Sequence, residues 1–373
     1  MGFWDIKPNV EGAAKQFAEG NEFISANPYG EGHINDTYTA YYRRPDGSEY
    51  RNIMQRINNE VFRDPISLMN NIEGVTEYLR GIIRARGGDE KRETMTVIRT
   101  PDGKNYYKDE QGCYWRSYIF VEGTVSYQSI ENDKDFYNCG TSFGNFQRLL
   151  AGYPAKDLVE TIPHFHDTED RFRQFKEAVA ADKAGRAASV QDEINFVLAR
   201  EADVSAVTSK LRDGTLPLRV THNDTKLNNI LIDEASGEGI CVIDLDTIMP
   251  GAACYDFGDS IRFGASTAAE DEKDLSKVQM SLHLFEVFAS GYLSVAKEFL
   301  TPAEVDSLAI GAKLMTLECG IRFLTDYLSG DTYFKVHYDG QNLDRCRTQF
   351  TLVKDMEQKM PEMISLVKKY TNA

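Results

Sequence analysis

At 373 residues the chain is longer than one ordinary domain, so two domains, or two lobes around a cleft, are expected. Lys and Arg number 42 against 58 Asp and Glu, giving a formal net charge of −16. That balance argues against nucleic acid and anionic membrane surfaces as partners, because both reward clustered cations. The 42% hydrophobic fraction is enough for a proper core, and no 18-residue apolar run offers a membrane span.

The opening MGFWDIKPNV lacks the basic, apolar, small-residue progression of a secretory leader, and position 6 is not the Ser or Thr of a myristoylation signal. A cytoplasmic protein is expected. Residues 23–57 alternate apolar and polar and are broken at Gly30, Gly32 and a Pro45-Asp46-Gly47 turn, which predicts three strands. One helix follows. Asp64 caps it, Pro65 takes its first position, Ile66, Met69, Ile72, Val75, Leu79 and Ile82 form its apolar stripe, and Gly87-Gly88 ends it. Residues 94–123 return to strands, with turns at Pro101-Asp102-Gly103 and Gln111-Gly112.

From about residue 128 the pattern becomes helical, with apolar residues three and four apart over 135–152, 167–183 and 189–214. Three more helical segments come late, one of them opened by Thr301-Pro302-Ala303-Glu304, a capping box with proline in the first turn. The fold class is therefore α+β: a small antiparallel β-sheet lobe with one helix over residues 1–121, then a larger, mainly helical lobe over 122–373. Six scattered cysteines, at 113, 139, 241, 254, 319 and 346, form no CxxC and are expected to be reduced and mostly buried.

The chemistry concentrates in RVTHNDTKLNNILID, residues 219–233. His222, Asp224, Lys226 and Asn229 stand at the spacing H-x-D-x-K-x-x-N. Protein kinases carry this arrangement in their catalytic loop, where the Asp accepts the substrate hydroxyl proton and the Asn holds a metal ion. Phosphoryl transfer is mostly positioning and charge neutralisation, so a carboxylate on the incoming hydroxyl and cations on the phosphates are what it needs. Asp224 is thus the candidate base, and Lys226 can reach the transferring group. Two carboxylates compete to be the second metal ligand. Asp256 sits in a literal Asp-Phe-Gly, but Asp244 ends a hairpin (229–246) that begins at Asn229 itself. Asp244 is preferred, Asp246 can add a second oxygen, and Asp256 is expected to cap the next helix. Hard oxygen ligands with a phosphate substrate imply Mg²⁺.

The first lobe should then hold ATP. Gly30 and Gly32 give a strand-turn-strand able to lie close over phosphates. The third-strand lysine of protein kinases is absent from NIMQRIN, as is the pairing it would make with Glu73. Gln55 or Arg56 substitutes for it, or metal and backbone hold the phosphates.

These residues resemble the aminoglycoside phosphotransferase-like kinases, which share the bilobal protein-kinase fold and act on small molecules. Longer strings (YGEGHINDTY, VTHNDTKLNNIL, VIDLDTIMPG, DFGDSIRFGASTAAEDEKDLSKV and ECGIRFLTDYLSGDTYF) look like the N-acetylhexosamine 1-kinases within that group, over nearly the whole chain. The resemblance implies ATP- and Mg²⁺-dependent phosphorylation of the anomeric hydroxyl of GlcNAc or GalNAc. Carried over by position, Asp224 is the base and Asn229 and Asp244 serve the metal, while His33, Arg322 and Tyr333 contact the sugar. A hinge at 118–123, including Phe120, Val121 and Glu122, presents backbone groups to adenine. A monomer is expected.

Plainer readings stand beside these. His222 reads as a brace of the loop, and His164 and His166 alternate without a third metal ligand nearby. Arg322, four residues after Glu318 on a helix, reads by itself as half of a surface ion pair. Two rival functions remain: a kinase of the same fold with an aminoglycoside, choline or other acceptor, and a nucleotide-binding pseudokinase.

Overall fold

The computed structural model describes residues 3–30, 34–127 and 129–371, and the chain forms two compact units. The first comprises residues 1–125, 157–162 and 231–249, and the second 126–156, 163–230 and 250–373.

In the first unit a short helix, α1 (Val10–Gln16), precedes strands β1 (Glu22–Pro28), β2 (Asp36–Arg43) and β3 (Glu49–Ile57). Helix α2 (Pro65–Ala85) follows, then β4 (Val97–Ile98), β5 (Tyr107–Lys108), β6 (Tyr114–Ile119) and β7 (Thr124–Val125). The sheet is antiparallel with spatial order β1-β2-β3-β6-β4, and β5 also pairs with β6. One face packs Tyr42, Met54 and Trp115 against α1 and Phe17 at its C-terminus. The register sets Gln55 of β3 directly opposite Arg116 of β6. Because side chains alternate along a strand, these two share one face and Arg56 takes the other.

Helix α2 starts as its sequence predicts: Asp64 accepts the Ser67 N–H at 3.1 Å and Pro65 occupies the first turn. Its buried stripe differs by a small rotation. Leu68, Met69, Ile72, Val75, Leu79 and Ile83 are buried, whereas Ile66, in the first turn, is 40% exposed. Asn71 on this helix donates to the carbonyls of Val159 and Ile248 at 2.8 and 3.2 Å and accepts the Val159 N–H at 3.0 Å. Those bonds fasten residues 157–162 and the far end of the 231–249 segment to the sheet unit.

The second unit is helical. It contains α3 (Asp133–Leu150), α4 (Thr168–Ala181), α5 (Gln191–Leu198), α6 (Thr208–Arg212) and the short strand β8 (Arg219–Thr221). The hairpin strands β9 (Ile230–Asp233) and β10 (Gly239–Val242) follow β8 in the chain but belong with the first unit, where they form a three-stranded sheet with β7, and β11 (Met249–Gly251) comes next. Helices α7 (Ala253–Gly264), α8 (Leu282–Ala296), α9 (Pro302–Ser329) and α10 (Gln341–Thr371) complete the chain. The predicted capping box at Thr301 and Glu304 forms, and Gly330 closes α9 in the left-handed conformation (φ 98°). Helix α7 is almost wholly buried and lies against α9 where Gly258 meets Gly311. A Cβ on Gly258 would sit 2.5 Å from the Gly311 carbonyl oxygen, so only glycine allows this approach.

All six cysteines are free thiols, five of them buried. Among the described residues no helix is long and apolar enough to cross a membrane. Mixed α+β architecture, with an antiparallel-sheet lobe and a larger helical lobe, is the class its sequence predicts.

Candidate active site

Loop 221–229 leaves β8 through a fully buried His222, whose ring meets Phe143 and Phe146 edge-on. Its Nδ1 accepts the Asp224 N–H at 3.3 Å, so the histidine does brace the loop. Asn223 next to it sits at φ 66°, a left-handed conformation that Asn tolerates better than most residues. This kink precedes Asp224, whose carboxylate meets Lys226 Nζ at 2.7 Å. Asn229 Nδ2 donates to the Asp224 carbonyl at 2.8 Å and, more weakly, to its carboxylate at 3.3 Å. The three residues Asp224, Lys226 and Asn229 are therefore brought together within one loop. Burial works against the Lys226 charge, but the Asp224 carboxylate beside it holds the ammonium above the usual lysine value.

Helix α7 holds that loop from beneath. Asp256 was expected to cap a helix; instead α7 has Ala252 at its cap without a side-chain bond, and Asp256 turns its carboxylate to the loop. It accepts the N–H groups of His222 and Asn223 at 3.0 and 2.8 Å and the Gln147 amide at 2.7 Å. Asp259, one residue beyond the Asp-Phe-Gly triplet, accepts the Thr225 N–H at 3.0 Å. Ser260 Oγ donates to the Thr225 carbonyl at 2.9 Å, and Thr225 Oγ1 to the Asp256 carbonyl at 2.7 Å. Burial pushes the Asp256 carboxyl above the usual carboxylate range, against the pull of His222 and the donated N–H groups. Asp259 goes the other way: burial raises it, but Arg262 and Lys226 outweigh burial and keep it low. The literal Asp-Phe-Gly thus serves to anchor the loop's backbone.

In the sheet unit, Asp244 follows β10 and adopts a left-handed backbone (φ 60°), whereas Asn229 directly precedes β9 of the same hairpin. Asp246 is buried and fully engaged: one oxygen pairs with Arg116 Nη1 and the other accepts from Asn35 Nδ2 at 2.6 Å. Asn35 Oδ1 in turn accepts the Asn58 N–H at 2.9 Å. Gln55 donates to Thr37 Oγ1 at 3.0 Å and accepts from Arg116 Nε at 2.9 Å. Arg56 points to the opposite face, where its Nε donates to Asp36 at 2.7 Å and its guanidinium lies over Phe3. Glu73 pairs with Arg99 at 2.8 Å and accepts from Asn105 at 3.0 Å.

Gly30, two residues past the end of β1, has φ 73°, and Gly32 and His33 lie outside the described residues. Among residues 118–123, Phe120 is stacked on by Arg51, which lies 3.7 Å from its ring centre and also makes two bonds to Glu122 at 2.9 and 2.8 Å. The Val121 carbonyl accepts from Thr124 Oγ1 at 2.8 Å.

On α9, Arg322 does not form the expected surface pair with Glu318. Glu318 is buried and accepts from Thr168 Oγ1 at 2.6 Å, with His166 Nδ1 at 2.7 Å. The other nitrogen of His166 lies 3.4 Å from the Asn223 carbonyl. The Arg322 guanidinium stands 5.3, 5.8 and 5.4 Å from the ring centres of Phe165, Tyr333 and Phe334. Tyr333 is 63% exposed, and its backbone N–H, with those of Thr332 and Phe334, is accepted by Asp326.

Sequence reasoning missed Arg116 and Asn35. A signal for the first was available: an arginine inside the apolar strand CYWRSYIF is a buried charge, which persists only with a partner or a task.

The fold is that of the small-molecule kinases. Residues 98–279 match the family described as "Phosphotransferase enzyme family" (APH), a stretch that contains loop 221–229, the β9–β10 hairpin and α7. Among solved structures, the chain is similar to an amicoumacin kinase in complex with AMP-PNP, Ca²⁺ and Ami, with 14% identity, coverage of 92% of this chain and 93% of that one, and a TM-score of 0.58. The GDP complex of aminoglycoside 2'-phosphotransferase-IIIa gives 13% identity, 90% and 95% coverage, and 0.56. Choline kinase from Cryptosporidium parvum Iowa II gives 14%, 94% and 93%, and 0.55. The family match supports phosphotransferase chemistry, and the solved structures share the fold.

Proposed function

We propose that the protein is an ATP- and Mg²⁺-dependent kinase that phosphorylates the anomeric hydroxyl of an N-acetylhexosamine, GlcNAc or GalNAc. The observation that carries the reading is the loop in which Asp224, Lys226 and Asn229 meet, held by five hydrogen bonds to α7, four through α7 side chains and one through the loop's own Thr225 hydroxyl. In this reading Asp224 takes the proton of the C1 hydroxyl as that oxygen forms a bond to the γ-phosphorus and the bond to ADP breaks. Lys226 balances charge on the transferring group.

Asn229 and Asp244 would hold the metal. Both offer hard oxygens: Asn229 commits its Nδ2 to Asp224 and keeps its amide oxygen for another partner. Two protein ligands suit Mg²⁺, which keeps several waters and binds substrate phosphates, and among the described residues no group of three or more His, Cys, Asp and Glu could hold a metal alone. Bound there, the ion would neutralise phosphate charge.

For the acceptor, support comes from the resemblance and from Arg322. A guanidinium among three aromatic rings can donate hydrogen bonds to the hydroxyl and carbonyl oxygens of a sugar and repels an ammonium. His33, Arg322 and Tyr333 are proposed to hold the sugar, and Gly30, Gly32, Gln55 and the hinge residues Phe120, Val121 and Glu122 to line the nucleotide site. Phosphorus NMR of the product made from GlcNAc, ATP and Mg²⁺ tests the reading: a phosphate coupled to the anomeric proton is expected. A 6-phosphate, or turnover confined to choline or aminoglycosides, would overturn the acceptor assignment while leaving the kinase standing.

A further inference from the structure

A kinase that lacks the third-strand lysine needs another cation for the phosphates of its nucleotide, and the sheet unit contains a buried one. Arg116 is 1% exposed and lies directly across from Gln55, on the strand next to the one that lacks the lysine. Neither sequence candidate can serve. Arg56 is committed to Asp36 on the opposite face, and Gln55 is uncharged and spends its amide on Thr37 and on Arg116 itself. Glu73, the residue that would pair with a third-strand lysine, is taken by Arg99.

Three features around Arg116 suit a phosphate. Its guanidinium is fixed on two sides, by Gln55 at Nε and Asp246 at Nη1, and a guanidinium has five N–H donors to give. It pairs with Asp246, and Asp244, two residues before Asp246, also helps to hold its charge against burial, so the three groups together carry one negative charge in excess. A divalent ion on Asp244 would turn that excess positive and make the cluster attractive to a polyphosphate. The third feature is Tyr118, two residues along β6 on the same face. Its hydroxyl is buried and has no hydrogen-bond partner among the described residues. A buried donor left unpaired costs free energy, and a ligand oxygen would satisfy it.

We propose that Arg116 takes over the task of the absent third-strand lysine and binds the nucleotide's phosphate oxygens directly, with Gln55 and Asp246 as its positioning residues and Tyr118 as a second donor. Asp246, with its two oxygens engaged by Arg116 and Asn35, is then a clamp on the arginine. The proposal rests on the nucleotide-binding reading above.

Equilibrium binding of Mg·AMP-PNP and of adenosine to the full chain tests it, because adenosine has no phosphate to lose. Arg116→Gln keeps a side chain that can bond Gln55 and removes the charge. It should weaken AMP-PNP about 10- to 100-fold, the worth of a charge-assisted hydrogen bond, and leave adenosine within about twofold. Tyr118→Phe removes no charge and should weaken AMP-PNP about two- to tenfold, again sparing adenosine. Equal weakening of both ligands, or of neither, in either variant would overturn the proposal and leave Arg116 a structural brace. Should Arg116→Gln not fold, Arg116→Lys and Tyr118→Phe decide by the same ratio. A wild-type protein that binds AMP-PNP no better than adenosine would instead overturn the nucleotide reading itself.

Discussion

Asp224 and Asp256 are 32 positions apart, and their roles separate cleanly by what surrounds each carboxylate. Asp224 is partly exposed and meets one lysine, while Asp256 is buried and accepts three N–H groups, two of them from the residues just before Asp224. Asp224→Asn should therefore cut kcat by about 10²- to 10⁴-fold, the usual worth of a positioned base, with little change in thermal stability. Asp256→Ala leaves three buried donors without an acceptor, at about 1–3 kcal/mol each, so it should lower both the melting temperature and kcat. Measuring the two quantities on both variants decides. Near-normal kcat in Asp224→Asn would remove the base, and normal kcat in Asp256→Ala would show that α7 does not position the loop. The spacing H-x-D-x-K-x-x-N was legible because it is local. The task of Asp256 was not, because its partners lie 33, 34 and 109 positions away and no nearby pattern reports them.

At the scale of elements, the strands of residues 22–57, the caps of α2 and the start of α9 follow from turn residues, proline and capping chemistry, all of which act over a few positions. The face of α9 does not follow in the same way. Glu318 and Arg322, four residues apart, read as a surface pair, yet each is drawn elsewhere: Glu318 to His166 and Thr168, and Arg322 to aromatic rings, while Asp326 one turn on goes to the backbone of the turn after the helix. That turn carries Tyr333. Asp326→Ala would release the N–H groups of Thr332, Tyr333 and Phe334 together with the Asn342 amide. If Tyr333 orients the acceptor, KM for GlcNAc should rise about tenfold or more, at roughly one charge-assisted bond's worth of positioning, while KM for ATP stays within about twofold. Parallel rises in both constants, or none in either, would mean that this turn does not belong to the acceptor site.

For the molecule as a whole, the order of strands first and helices after was enough to give the fold class, because binary patterning and turn chemistry decide which layers can form. Substrate choice is a different kind of information, held in a few side chains with long-range neighbours, and the net charge of −16 bears on it more than local spacing does. An acidic protein attracts cations from a distance and is indifferent to a neutral sugar. Lowering the ionic strength from about 0.15 M to about 0.01 M lengthens the screening distance from about 8 to about 30 Å, so a cationic acceptor would be gathered more strongly at low salt. With Mg·ATP saturating, kcat/KM for GlcNAc should therefore vary by less than about twofold across that range, since a neutral acceptor feels only dipolar forces at long distance. Any ammonium-bearing compound that serves as an alternative acceptor supplies the control, because its kcat/KM should climb as salt is removed. A steep salt dependence for the best acceptor found would mean that the acidic surface is part of acceptor recognition, and the neutral-sugar assignment built on Arg322 would fall.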